Sequence, residues 1–182
     1  KICLLINMSD LVMLDNLREA GEIHKKVREY ICPLIKPNMK IDKIASLIEN
    51  KILELTKSYK NAGIAFPTGL SLNNTIAHDT ANIMDVRVFK DNDICKIDFG
   101  VHIDGCILDS AFTYSFNDKY KSLIDATHEA TMSAIKMVGP DVFCNDVSSH
   151  IQEIIESHEI EIKNKVLPIY AVRNLGGHSI GE

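Results

Sequence analysis

From Leu11 to about Ile35, apolar residues recur every three or four positions, at Leu14, Leu17, Ala20, Ile23, Val27, Tyr30, Ile31 and Leu34. That stripe predicts a long amphipathic helix. Pro33 and Pro37 bound its end, because proline lacks the N–H that a continuing helix needs. A second helix is expected after a short turn, with Asp42 as its N-cap and Ile44, Leu47, Ile48, Ile52 and Leu55 on one face. A third opens near Asn117 or Asp118 and shows Tyr120, Leu123, Ile124, Thr127, Thr131, Ala134, Ile135 and Val138 before Gly139-Pro140 stops it. The fourth carries Val147, Ile151, Ile154 and Ile155.

Between the second and third helices the period falls to two. Residues 94–101 alternate, Asp104-Gly105 interrupts, and residues 106–114 resume. Asp-Gly between two β-rich runs predicts a hairpin closed by a type I′ turn. Residues 166–172 read as a further strand. The helix pairs 11–58 and 118–160 each lead to strands and a polar segment ending in a histidine, His78 and His178, 100 positions apart. That layout fits an internal repeat of two α/β units, and equally two unlike helix pairs matched by chance. On the repeat reading, the second unit stops about one hairpin early.

Composition narrows the class. The chain has 182 residues, 46% hydrophobic and 25% charged, with a net charge of −5. This describes a globular domain with a core, and excludes a disordered chain or a nucleic-acid binder held by bulk positive charge. No apolar run approaches the roughly 20 residues of a membrane helix, and the N-terminal stretch Ile2–Ile6 lacks a signal-peptide cleavage pattern. The expected compartment is cytoplasmic. Cys3, Cys32, Cys95, Cys106 and Cys144 are odd in number with no C-x-x-C, so they read as buried hydrophobes rather than disulfides or a thiolate zinc site. The chain begins with Lys and stops in a Gly-rich segment, so its length is expected to be that of a fragment.

The hairpin carries the strongest chemistry. With Asp104-Gly105 as the turn, Ile103 faces Cys106 and Gly100 faces Asp109. Asp98 and Asp109 are then diagonal neighbours on one face, their Cβ atoms about 7 Å apart. Two carboxylates converging there repel unless one is protonated or a cation lies between them. Such a pair suits one or two divalent ions. A solvated hairpin face, or one Asp capping a turn, accounts for the same spacing. His178, among glycines 176, 177 and 181, and His78 after Ser71-Leu72-Asn73-Asn74 are each ambiguous alone: a metal ligand or a surface loop histidine. Asp91-Asn92-Asp93 begins like a calcium loop, but Cys95 and Lys96 stand where a ligand and a glycine are required. His24, His128, His150 and His158 lie among charged helical residues and read as solvated. Asn7-Met8-Ser9 and Asn73-Asn74-Thr75 match the glycosylation pattern, and without a secretory signal they read as chance.

Taken together, Ala65-Phe66-Pro67-Thr68-Gly69-x-Ser71-Leu72-Asn73-Asn74-x-x-Ala77-His78, residues 94–100, Asp109, and Asn174-Leu175-x-Gly177-His178-Ser179-Ile180-Gly181 resemble the type 2 methionine aminopeptidases. The resemblance runs in order from about Leu17 to Glu182. It implies an α+β pita-bread fold of the creatinase and aminopeptidase kind, with helix pairs packed on antiparallel sheet. Residues 1–182 would be a single catalytic domain whose second half is truncated. It implies two divalent ions (Co, Mn, Fe or Zn), with Asp98, Asp109 and His178 as ligands, His78 as a catalytic residue beside the substrate, and Phe66 lining the methionine pocket. The implied activity is removal of the N-terminal methionine from nascent chains, with ribosome association as a partner and neither membrane nor direct nucleic-acid contact. The full pattern has five protein ligands, and its two glutamates fall beyond the point matching Glu182. The chain taken literally is therefore expected to bind metal weakly and not to turn over peptide. Two other readings are a non-enzymatic pita-bread protein that binds ribosomes, RNA or protein partners, and a prolidase-like dipeptidase. The three expected ligands disfavour the first, and the Phe-Pro-Thr-Gly…His78 segment disfavours the second.

Overall fold

The structure, a computed structural model, describes residues 8–174 together with Gly176, His178 and Ile180, the first three by their backbone alone. The expected features at Asn7, Cys3, Leu175, Gly177, Ser179, Gly181 and Glu182 lie outside the described residues. The chain divides into two compact units, the second being Asn117–His178.

In the first unit, α1 (Met8–Ile31) passes into a single 3₁₀ turn at Cys32–Leu34, where Pro33 ends the helix as its missing N–H requires. A short β1 (Met39–Lys40) leads into α2 (Ile41–Thr56). The helix starts two residues earlier than its polar signal implied, with Lys40 rather than Asp42 at the N-cap. Asp42 therefore sits in the first turn rather than at the cap, and its buried Oδ1 has no hydrogen-bond partner. Next come β2 (Ala62–Ile64), β3 (Gly69–Leu72), β4 (Val88–Phe89), β5 (Ile94–Ile103) and β6 (Cys106–Ser115).

The long strand β5 is the spine of a four-stranded antiparallel sheet. One edge pairs with β6 along its whole length, Ile103 against Cys106 and Gly100 against Asp109, in the predicted register. Asp104 and Gly105 both have positive φ, 49° and 81°, as a type I′ turn demands. The other edge pairs first with β3, Gly69 against Asp98, and then with β2, Ile64 against Val101. Alternation sends Cys95, Ile97, Phe99, Val101 and Ile103 into a core built with Ala20, Ile23, Val27 and Ile31 of α1 and Ile44, Ile48 and Ile52 of α2. Both helices cover that face. Lys96, Asp98, Gly100 and His102 point to the other.

The second unit holds α3 (Lys121–Met137), α4 (Cys144–Glu156), β7 (Glu159–Ile162) and β8 (Lys165–Pro168). Ala126, Ala130 and Ala134 form the buried line of α3, and Ile160 and Ile169 close a small core with Ala126. Two sequence expectations change here. The helix pair ends at Glu156 rather than near 160, because Glu159-Ile160-Glu161-Ile162 alternates with period two and pairs with β8. The strand expected at 166–172 is Lys165–Pro168, positioned by a tight turn in which Lys163 and Asn164 have φ of 54° and 58°. Among the described residues, no helix is long and apolar enough to cross a membrane.

Candidate metal centre

The site is built on the sheet face that α1 and α2 leave uncovered. Asp98 stands between two small residues, Gly69 on β3 and Ala111 on β6. A side chain at Gly69 would come within 3.3 Å of the Asp98 Cβ, so the glycine makes room for the carboxylate. Asp98 is half-buried, and its Oδ1 is shut from solvent without a hydrogen-bond partner. Asp109 is exposed. Burial, and then the negative charge of Asp109, hold the Asp98 carboxyl above its usual range, while His78 acts in the opposite sense. A buried carboxylate oxygen with no donor, facing a second carboxylate, is chemically incomplete. A cation satisfies both demands at once. The donors present thus fit a hard or borderline divalent ion.

His78 reaches the same face by a different route. After β3 the chain loops through residues 73–78 and returns beside it: Thr80 bridges Gly69, and the Leu70 N–H donates to the Asp79 carbonyl at 2.7 Å. His78 itself has a φ of 62°, the left-handed region that non-glycine residues seldom occupy. Its side chain is exposed.

Phe66 lies where the edge of the sheet opens. Pairing to β5 ends at Ile64 against Val101 and resumes at Gly69 against Asp98, so four residues, Ala65 to Thr68, span only Phe99 and Gly100. The Ala65 N–H donates to the Gly100 carbonyl at 3.0 Å, and the Thr68 N–H donates to the Glu49 carboxylate of α2 at 3.1 Å. These two anchors lay the Phe66 ring over Gly100. A Cβ there would stand 2.3 Å from the ring. The glycine opposite Asp109 is therefore not open space: it is a seat for Phe66. Asp98, Asp109, His78 and Phe66 all gather on this side of the first unit.

His178 belongs to the second unit and is exposed. Among the described residues, no three His, Cys, Asp or Glu side chains converge into a cation-holding group. Asp93 of the rejected calcium-loop pattern is occupied otherwise, accepting from Asn73 Nδ2 at 2.9 Å and the Lys90 N–H at 2.9 Å.

Several histidines depart from the solvated expectation. His150 shares a 2.7 Å hydrogen bond with Ser133, linking α4 to α3, and His158 pairs with Glu129 at 3.2 Å. His128 is exposed, as expected. His24 differs most: it is 6% exposed and stacks on Phe99 with ring centroids 4.0 Å apart. Its Nε2 lies 3.1 Å from both the Phe99 and Ser110 carbonyls, so it is the protonated nitrogen donating to both. Burial holds its pKa below the usual value. The signal was present in the sequence, since His24 falls in the inward row Ala20, His24, Val27, Ile31. One donor thus ties together the strands of the aspartate hairpin, one residue after each carboxylate.

The paired aspartates stand on the sheet face opposite the helix pair, and their donors are those of a divalent-metal site. The model of metallopeptidase family M24 matches residues 15–182, and the chain belongs to that family. Within it, the chain resembles the type 2 methionine aminopeptidases over most of its length. Methionine aminopeptidase 2 of Debaryomyces hansenii is 47% identical over 173 residues, covering 92% of this chain and 40% of that protein. Methionine aminopeptidase 2A of Arabidopsis thaliana is 46% identical over 169 residues, covering 92% and 38%. The solved methionine aminopeptidase of Thermotoga maritima superposes with a TM-score of 0.68 at 24% identity, covering 91% of this chain and 74% of that one. The fold is the α+β pita-bread fold of these enzymes. The chain spans about 40% of the length of the curated relatives it matches.

Proposed function

We propose that this chain carries part of the active site of a metal-dependent aminopeptidase that removes methionine from the N-terminus of peptides and nascent chains. The observation that carries the reading is the buried, donorless Oδ1 of Asp98 beside Asp109. On the family resemblance, Asp98, Asp109 and His178 would hold divalent ions, Co, Mn, Fe or Zn. When bound, such ions supply an acidified water and a polarised carbonyl. The chain's own residues do the rest. Asp98, half-buried on β5, would offer its partnerless Oδ1 to such an ion. His78, on its left-handed backbone, donates a hydrogen bond to the scissile amide and to the oxygen that gains charge as the carbonyl is attacked. Phe66, seated on Gly100, offers an apolar wall to the methionine side chain and excludes water from one flank. A cytoplasmic site of action and contact with the ribosome follow from the nascent-chain substrate.

A specific experiment separates the roles. In a protein of the relatives' full length, His78→Ala lowers methionine release from a Met-Ala-Ser peptide by about 10²-fold or more, the size of losing one oxyanion donor. Mn²⁺ binding stays as in wild type. Loss of metal in that variant would show His78 to be a ligand, and unchanged turnover would remove it from the site.

A further inference from the structure

The turn that carries His78 is held from outside the site. Asp79 follows it directly and is fixed at every polar group of its backbone: its N–H donates to Ser71 Oγ at 3.3 Å, and its carbonyl accepts from Leu70 at 2.7 Å. Its carboxylate receives both ends of the Arg87 guanidinium, Nη1 to Oδ2 at 2.5 Å and Nη2 to Oδ1 at 3.0 Å. The same guanidinium also grips Asp85, with Nη2 to Oδ2 at 2.6 Å and Nε to Oδ1 at 3.0 Å. Arg87 is itself moored to the core, because its carbonyl accepts from the N–H of Ile41 at the start of α2, at 3.1 Å. The backbone N–H of Arg87 donates to Asp85 as well, at 2.9 Å. A planar fork bonded to two carboxylates fixes both in one plane, which a lysine's point charge does not do.

We propose that Arg87 is a positioning residue for His78: by tying Asp79 and Asp85 to a backbone anchored on α2, it holds the left-handed turn that presents the imidazole to the Asp98–Asp109 face. A left-handed non-glycine residue relaxes unless its surroundings over-determine it. Here the restraints fall on its neighbour, Asp79: β3 holds its backbone through Leu70 and Ser71, and Arg87 holds its carboxylate. The inference rests on the reading of His78 as the group that meets the substrate. Arg87 touches neither substrate nor metal in this account and acts only through where His78 stands.

The test uses two readouts. In the chain as given, NMR of wild type shows His78 with the strong intraresidue HN–Hα contact of a left-handed residue. In Arg87→Gln that contact weakens and the His78 resonances move, while the amides of Phe99 and Val101 stay in place. In a protein of the relatives' full length, Arg87→Gln lowers kcat for Met-Ala-Ser release by about 10–100-fold, the scale of a misplacement near 1 Å. KM changes by less than about 3-fold and Mn²⁺ affinity is unchanged. Arg87→Lys recovers only part of the loss. Asp85→Asn, which keeps the Asp79 pair, gives a smaller effect in the same direction and serves if Arg87→Gln lowers the folded fraction. If His78→Ala abolishes turnover but Arg87→Gln leaves kcat within about 2-fold and the His78 resonances unmoved, the positioning role is wrong and the function stands. If His78→Ala leaves turnover untouched, the functional reading itself falls, and this proposal with it.

Discussion

Replacing Gly100 by alanine adds one methyl group to the seat of Phe66. The added Cβ would lie 2.3 Å from Phe66 Cε1, 2.8 Å from Cδ1 and 2.9 Å from the Ala65 Cβ. Carbon atoms rest about 3.5–4.0 Å apart, so the ring must retreat by more than about 1 Å. Overpacking of this kind costs about 1–3 kcal/mol. Against it, alanine narrows the unfolded ensemble and returns about 0.4–1 kcal/mol, with no backbone strain to oppose it since Gly100 does not have a positive φ. The net is a loss of about 1 kcal/mol, within limits of about 0 and 2.6 kcal/mol. With a urea m-value of about 1–3 kcal/mol/M, the unfolding midpoint falls by roughly 0.5 M. A double-mutant cycle isolates the cause. In a Phe66→Ala background the same change at Gly100 costs at least about 1 kcal/mol less, because only Ala65 remains in the way. Displacing the wall also raises KM for methionyl peptides in a protein of the relatives' full length. An alanine at 100 that is neutral or stabilising with Phe66 present, and equally so without it, would refute the packing argument and with it the placement of Phe66.

Buried His24 of α1 and half-buried Asp98 of β5 predict opposite pH responses in the metal-free chain. His24 is held below its usual 6.5, so the unfolded chain takes up the proton first and stability falls as pH drops below about 6.5. His24→Phe, which keeps the stacking on Phe99, flattens that slope in urea titrations at pH 5 to 7, and costs about 1–3 kcal/mol at pH 7 for the stranded carbonyls. Asp98 is held above its usual 3.8, so its ionised form burdens the fold at neutral pH, and stability from this group returns as pH falls toward 3.8. Asp98→Asn therefore raises the metal-free midpoint at pH 7, as expected where a site is kept for function rather than stability.

The hairpin was legible because a two-residue Asp-Gly loop fixes register, and register fixes which side chains share a face. The first two helices were legible from their apolar stripes, whose members Ala20, Ile23, Val27, Ile31, Ile44, Ile48 and Ile52 are all in the core, while Leu34 is exposed. What the pattern hid was tertiary. His24 falls in the inward row of α1, but its charged sequence neighbours, Lys25 and Lys26, mask that signal until its packing against Phe99 is seen. The Phe66 excursion needs Glu49 from a separate helix to close it, and no local spacing records that partner. Arg87 and Asp79 are eight positions apart in a loop without periodicity, so their pairing appears only in three dimensions. Strand β7 was missed for a simpler reason: its four alternating residues continue directly from a helix, and the turn that ends it is Lys-Asn rather than a glycine pair.

The central claim is that Asp98 and Asp109 exist to hold divalent metal. It is tested most directly by titrating Mn²⁺ into a protein of the relatives' full length, wild type and Asp109→Asn, with calorimetry or Mn²⁺ spin resonance as the readout. The variant is predicted to fold with a metal-free midpoint no lower than wild type and to lose affinity by more than about 10-fold, the least expected when even a partner of a ligand is removed. Equal Mn²⁺ affinity in the two proteins would contradict it.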